Sequence, residues 1–266
     1  NIIHEKKMNV RVQKELRHDF EIEEDGLYMV EISARSKSWS QNTAKRVSFF
    51  RDDGLTLAID GVSYPQAFWN GNRLKNLQQV NAVFLALASG KHHMDFATRQ
   101  SPFLETIRVF RVSDERNITL NPHAEYHLER GDRRPWMTYV FVDTALERVV
   151  VNAHAGKDGR DDDDLQIRID GEPQKNTAPK SHAHWYWCGK KLKGKSSVFD
   201  KAVNLPADVH SVELWADNTP VVEEVRFVLG VKSAVEGIKA RVALDTDTDT
   251  IHLRAKPDSS SQVLAE

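Results

Sequence analysis

A single cysteine, Cys188, stands in this chain. It excludes an intrachain disulfide framework and any zinc site built on several thiolates. No apolar run approaches the roughly 18 residues that a membrane-crossing helix needs. Basic and acidic residues nearly cancel, 37 against 39, for a formal net charge of −2, and no domain-sized stretch collects the basic ones. Nucleic-acid binding and attachment to a membrane surface are therefore not expected. Helical periodicity is almost missing. So are the short signatures of familiar chemistry: the chain holds no GxSxG, no HExxH and no phosphate-binding loop, which leaves nucleophilic, zinc-protease and nucleotide chemistry without an anchor. Paired carboxylates for glycoside hydrolysis are not assignable either, because that chemistry depends on a separation in space.

What the sequence does contain is itself, twice. FWNGNRLKN (Phe68 to Asn76) returns as YWCGKKLKG (Tyr186 to Gly194), an offset of 118 that holds without a gap to Phe110. Leu87, His92, Pro102, Glu105 and Arg108 meet Leu205, His210, Pro220, Glu223 and Arg226. Upstream, DDGLTLAIDG (Asp52 to Gly61) returns as DDDLQIRIDG (Asp162 to Gly171), at an offset of 110. Solenoid periods run about 20–50 residues, so a repeat of this length is a domain. The 266 residues suit about two domains of the usual 100–200 residues. Residues kept in both copies are expected to hold the fold. Residues found in one copy are the candidates for function.

The local pattern is that of strands. Gly26 to Arg35 alternates apolar and polar positions, as do Leu55, Leu57, Ile59 and Leu165, Ile167, Ile169. Each of the latter two ends in Asp-Gly, which suits a type I′ hairpin turn with positive φ at both central residues. Met94, Phe96 and Ile107, Val109 flank a turn at Arg99 to Pro102, and Val212, Leu214 and Val225, Phe227 flank Asp217 to Pro220. The β-branched and aromatic run Val80 to Ala88 reads as a buried strand. Many short strands between turn residues predict an all-β chain. The expected architecture is two tandem antiparallel jelly-roll-type β-sandwiches related by internal duplication, residues 1–113 and 121–230, with Val112 to Pro122 as linker. A short β extension, residues 231–266, follows. The chain starts at Asn1 and stops in mid-pattern at Glu266, so it is read as a piece of a longer protein.

The copies differ most at one hairpin. Six residues separate Gly61 from Phe68, but fourteen separate Gly171 from Tyr186. The insertion carries His182 and His184 and runs into Trp185, Tyr186 and Trp187. Loops on a rigid scaffold are where function concentrates. An indole face suits the C–H face of a pyranose, while exposed Trp and Tyr also suit protein contacts. Against that, Trp187 matches Trp69 and Tyr186 matches Phe68, as core residues would. Trp185 and Trp215 face Ala67 and Ala97 in the other copy, and Trp39 lies in a polar loop. His182 and His184 share a strand face and could bind a metal only with a third ligand such as His154 or His210. The pairing of His210 with His92 favours a structural role for His210. Asp161, Asp162, Asp163 and Asp164 could hold structural Ca2+, although adjacent carboxylates on an extended chain alternate sides. Asp245, Asp247 and Asp249 alternate with threonine and invite the same reading.

Two resemblances add to this. The stretch from Ile238, with Ile251, Arg254, Pro257, Ser260, Val263 and Leu264, resembles the opening of a bacterial SH3-like module, a type that sits in envelope and cell-wall proteins. The opening strand Asp25 to Ser36, the LxIxIDG hairpins and the segments Gly90 to Phe110 and Asp208 to Val228 resemble carbohydrate-binding modules of the galactose-binding-like sandwich type. That likeness implies a β-sandwich and a glycan ligand, often with calcium, but transfers no ligand residue. The expectation is a non-catalytic module that holds a polysaccharide or cell-wall glycan in a bacterial secreted or envelope protein. Trp185 would stack on the sugar, and His182 or His184 would bond its hydroxyls. Two alternatives stay open: an adhesion or spacer module that contacts protein, and a metal-dependent enzyme acting on polysaccharide. The sequence leaves the oligomeric state and the choice of glycan unassigned.

Overall fold

The computed structural model describes residues 1–42, 52–122, 124–125, 133–158, 161–176, 183–230, 253–254 and 263–265. The first half opens with β1 (Ile2–Arg11), β2 (Glu15–Ile22) and β3 (Gly26–Arg35), then a helical turn, α1 (Trp39–Asn42). It continues through β4 (Gly54–Ile59), β5 (Val62–Ser63), β6 (Trp69–Asn70) and a second turn, α2 (Gly71–Leu74), to the long strands β7 (Gln78–Leu87), β8 (Gly90–Thr98) and β9 (Phe103–Arg111). A five-stranded sheet, β2-β8-β4-β5 with β6 on β4, covers one face of β1-β9-β3-β7. Between the layers lie Val30, Ile32, Leu55, Leu57, Trp69, Phe96 and Ile107, all essentially inaccessible.

The second half is built on two long bent strands. After β10 (Asn117–Leu120) and β11 (Ala124–Glu125), strand β12 (Arg134–His154) leads through β13 (Lys157–Asp158), β14 (Asp161–Asp162), β15 (Asp164–Ile169), β16 (Glu172–Pro173), β17 (Trp187–Cys188) and the turn α3 (Gly189–Leu192). Strand β18 (Ser196–Asp217) and β19 (Val221–Leu229) follow. The amino-terminal part of β12 pairs with the carboxy-terminal part of β18, while Leu146–His154 pairs with both β19 and Ser196–Leu205. The ribbon turns over between these parts. Register shifts flank Thr144, and Asp143 and Asn204 adopt positive φ of 52° and 50°. Bulges of this kind bend a strand and increase its twist. One folded hairpin thus supplies both layers around Leu165, Trp187, Leu214, Val225 and Phe227.

The halves do not fold as separate antiparallel units, which corrects the sequence expectation. Val80–Phe84 of β7 pairs in parallel with Met137–Phe141 of β12, and one twelve-stranded sheet runs through the whole molecule. The physical reason lies in β7 itself. Both of its faces are apolar, as is usual for a strand buried on two sides. Val83 and Leu85 enter the first core, whereas Ala82 and Phe84 enter the second. Strand β3 divides likewise, with Val30 and Ile32 on one side and Leu27 and Met29 on the other. In return, Val140 and Val142 of β12 sit in the first core. The expected linker is partly strand too. Ile118 is an apolar position in an alternating run, and Asn117–Leu120 pairs with Val225–Val228.

Positions matched by the repeat make matching bonds. Trp69 Nε1 donates to the Gln79 carbonyl (3.0 Å) and Trp187 Nε1 to that of Ser197 (2.7 Å). Asp60 accepts from His92 and from the His93 amide; Asp170 accepts from His210 and from the Ser211 amide. Both Asp-Gly turns have positive φ throughout, Asp60 and Asp170 at 50°, Gly61 and Gly171 at 78° and 79°. Asp53 accepts from the Lys37 and Ser101 amides, and Asp163 from those of Gly156 and Thr219. Of the carboxy-terminal tail, only Leu253–Arg254 (β20) and Val263–Ala265 (β21), paired antiparallel, are described. The rest of the SH3-like stretch and Asp245, Asp247 and Asp249 lie outside the described residues.

Candidate functional site at the seam of the two halves

The insertion hairpin does not present a flat aromatic surface. Trp187 is wholly buried, and its neighbour Tyr186 packs edge-on against it and against Phe199 (ring centroids 4.8 and 5.1 Å). Trp185 is only 8% exposed, with the Arg133 guanidinium 5.0 Å from its ring centre. Apolar burial explains both: in a domain with two layers, rings at a sheet edge gain more inside than out. His182 lies outside the described residues. His184 is exposed, and its carbonyl accepts from Gln166 Nε2 (2.8 Å). The candidate third ligands are taken. His154 Nδ1 lies 3.3 Å from Glu223, and His210 is held by Asp170.

The aspartate run is similarly occupied. The Asp161 side chain lies outside the described residues, and Asp162 contributes its carbonyl, to Asn218. Asp163 accepts from the Gly156 amide and from the Thr219 amide and hydroxyl, all at 3.0 Å. Asp164 turns the other way, accepts from the Gly189 amide (3.1 Å) and is raised above the usual carboxylate range, chiefly by burial. Consecutive carboxylates therefore alternate sides, as extended backbone demands. Among the described residues, no group of three or more His, Cys, Asp or Glu side chains is placed to hold a metal.

A different place gathers polar and charged groups from both halves around one indole. Leu214 and Val212 of β18 enter the second core, so Trp215 and Glu213 stand on the opposite face. Gln166 and Arg168 of β15 pair with them in register. This outer face meets the flank of the first half at α2. Asn70 caps that turn by accepting from the Arg73 amide, and Lys75 closes it in the left-handed region. Gly71 starts it because an added Cβ would lie 2.0 Å from the Lys37 carbonyl. So fixed, α2 points Arg73 across the seam, with its guanidinium 5.1 Å from the Trp215 ring centre. Arg168 lies over the same ring at 3.8 Å. Trp215 is 7% exposed, and its Nε1 donates to Glu213 (2.7 Å). Arg168 Nε donates to Gln166 (2.6 Å). Burial lowers the basicity of Arg168; Glu213 opposes this and Arg73 adds to it. On the other side of α2, Asn72 accepts from the backbone amide of Trp39 (3.0 Å), and the Trp39 residue is 46% exposed.

No protein-family model and no curated protein sequence matches the chain. Among solved structures it is similar to PNGase F, a glycosylasparaginase from Flavobacterium meningosepticum (9% identity, 84% of this chain, 93% of that one, TM-score 0.23). It is also similar to the ectodomains of ANX2 (9%, 84% and 83%, TM-score 0.28) and ANX1 (10%, 84% and 83%, TM-score 0.29) from Arabidopsis thaliana. Agreement this low transfers no residue and no activity.

Of the expected ligand residues, Trp215 lies at the seam, and Trp39 is tied to the other side of α2 through Asn72. Of the insertion, His184 is in contact with the seam through its carbonyl, which accepts from Gln166. Arg73, Asn72, Gln166 and Arg168 were not anticipated. Arg168 and Gln166 face Ala58 and Thr56 at the matched positions, so the comparison of copies held the signal.

Proposed function

We propose that the chain is a non-catalytic glycan-binding module whose ligand stacks on Trp39 and runs along the seam past Asn72. The observation that supports this is the half-exposed Trp39 indole, held beside amide and hydroxyl side chains on two helical turns. Asn72 accepts from the Trp39 amide through Oδ1 and so holds its own amide group beside that residue, whereas Gln41 is committed to Ser38 and to the Lys75 carbonyl. A pyranose offers polarised C–H bonds on one face and hydroxyls at its rim. The negative π-face of an indole matches the first, and amides match the second. The setting proposed is a secreted or envelope protein. No helix among the described residues is long and apolar enough to cross a membrane.

Affinity electrophoresis through gels containing soluble polysaccharides tests this. Truncating an aromatic anchor costs about 2 kcal/mol or more, which is about 30-fold in affinity. Trp39→Ala should therefore lose retardation. Its thermal midpoint should barely move, since exposed substitutions change stability by about 0.5 kcal/mol at most. Equal retardation of the variant and the parent protein would overturn the assignment.

A further inference from the structure

Six arginines of the described residues have a carboxylate in contact. Arg17 meets Asp95, Arg35 meets Glu105, Arg108 meets Glu31, Arg111 meets Glu24, Arg133 meets Asp217 and Arg148 meets Asp200. Arg73 and Arg168 have none among the described residues. Yet these two are brought over one indole from opposite halves of the chain. Glu213 spends one oxygen on Trp215 Nε1 and makes no ion pair within 4.0 Å with either arginine. Arg73 repels Arg168 while the Glu213 carboxylate attracts it, and partial burial of Arg168 strengthens both effects. Both guanidinium carbons lie over the Trp215 ring, and a cation–π contact leaves N–H groups for other partners. Arg168 commits only Nε, to Gln166, and both of its terminal nitrogens are without a protein acceptor among the described residues. Arg73 is exposed.

We infer that Arg73 and Arg168 form a subsite for an anionic group, so that the glycan held at the seam is acidic and carries a carboxylate or sulfate. This rests on the glycan reading above and narrows it. Planar forks of N–H donors suit both oxyanions, because each presents two oxygens at the spacing of two parallel donors. The Asn72 amide beside Trp39 would then serve the hydroxyls of the same chain, and the arginines its charge.

Affinity electrophoresis in three gels decides the matter: polygalacturonate for carboxylate, dextran sulfate for sulfate, and uncharged dextran as control. Retardation by one or both charged polymers beyond dextran is expected, weakening as salt rises. A hydrogen bond to a charged group contributes about 1.5–3 kcal/mol, so Arg73→Gln and Arg168→Gln should each weaken retardation by the charged polymer about tenfold or more. Arg73 also braces the seam, so the conservative Arg73→Lys and Arg168→Lys pair is run beside them. It keeps both charges and the fold but removes the forks, and should still bind several-fold more weakly than the parent. Parent-like retardation of all arginine variants by the charged polymers would overturn the subsite, as would equal retardation of the parent by dextran and dextran sulfate. If Trp39→Ala abolishes retardation while the arginine variants keep it, the glycan reading stands and the anion subsite falls. If arginine-dependent retardation survives Trp39→Ala undiminished, the subsite stands and the stacking role of Trp39 falls.

Discussion

Phe84→Ala tests whether the two halves are one cooperative body. Phe84 belongs to a first-half strand but lies in the second core, fully buried. It stacks on Phe141 with ring centroids 5.0 Å apart and planes 4° from parallel, and meets Phe227 edge-on at 6.1 Å. Removing a buried phenylalanine costs about 3–5 kcal/mol, from lost transfer energy and the cavity left behind. For a chain of this size each kcal/mol moves the thermal midpoint by about 2–4 °C, so a fall of about 6–20 °C is expected. Urea unfolding followed by far-ultraviolet circular dichroism and by tryptophan fluorescence gives the assay. Both probes should shift together in one transition, because Leu27, Met29, Ala82 and Phe84 tie β3 and β7 to the second core. Two transitions, only one of them displaced, would refute the shared-sheet reasoning. By the same logic, residues 1–113 alone should expose the apolar outer face and free edge of β7, and should bind a hydrophobic dye that the intact chain does not.

Three further outcomes follow from named contacts. His4 and His18 share a hydrogen bond of 2.8 Å between their Nε2 atoms, and burial, first of all, lowers the pKa of both below 6.5. The unfolded chain then binds more protons than the native one below about pH 6.5, so the urea midpoint should fall as pH drops through the native values, and less so in a His4→Ala, His18→Ala variant. Gly189→Ala puts a Cβ 1.9 Å from the Gly156 carbonyl and 2.6 Å from that of Asp163, against backbone that has nowhere to go; a loss above about 3 kcal/mol is expected, whereas Gly194→Ala, at φ 82° with open space around it, should cost about 1 kcal/mol in a denaturation curve. Asp164 has a raised pKa, so the native state holds its proton more tightly than the unfolded state, and that stability is lost as pH rises through the native value. Asp164→Asn should therefore gain stability over the parent at pH 8 relative to pH 4; a difference that ignores pH would refute the assignment of burial as its cause.

Short-range signals in the sequence were reliable where local chemistry decides structure. Asp60-Gly61 and Asp170-Gly171 make their turns because only residues tolerant of positive φ can close them. The run around Val80 to Leu87 is a strand buried on both faces, as its continuous apolar character indicates. Long-range consequences were not legible. Nothing in the alternation of Val83 with Phe84 says that each face serves a different core, and the parallel pairing with Met137–Phe141 depends on two strands far apart in the chain. The amino-terminal strands β1 and β2 escaped notice because their burial is partial and their polar content high. At the site, Trp185 and Trp215 are candidates for ligand contact in the sequence because each stands where the other half has an alanine. A ring gained in one copy can as well fill space that only that copy has. Trp215 does this at the seam, where Arg73 and Arg168 cover it.

The same reasoning explains why one helical turn carries a candidate site and its counterpart does not. Turns α2 and α3 have nearly the same backbone: each begins at a glycine pressed against a carbonyl, and each ends at a lysine in the left-handed region, Lys75 and Lys193. Local sequence therefore gives two equivalent platforms. Their surroundings differ because the halves meet side by side through the parallel β7–β12 pair, an arrangement with no two-fold axis. That junction places α2 against β12, where the Leu74 carbonyl receives the buried Arg134 and Arg73 reaches Trp215. It places α3 beside β13 and β17 of its own half, with Lys190 and Lys191 exposed. Both halves carry such a turn, but a parallel junction makes only one inner corner. Residues that differ between matched positions acquire a shared target only at that corner, which is why Arg73, Arg168 and Trp215 converge there.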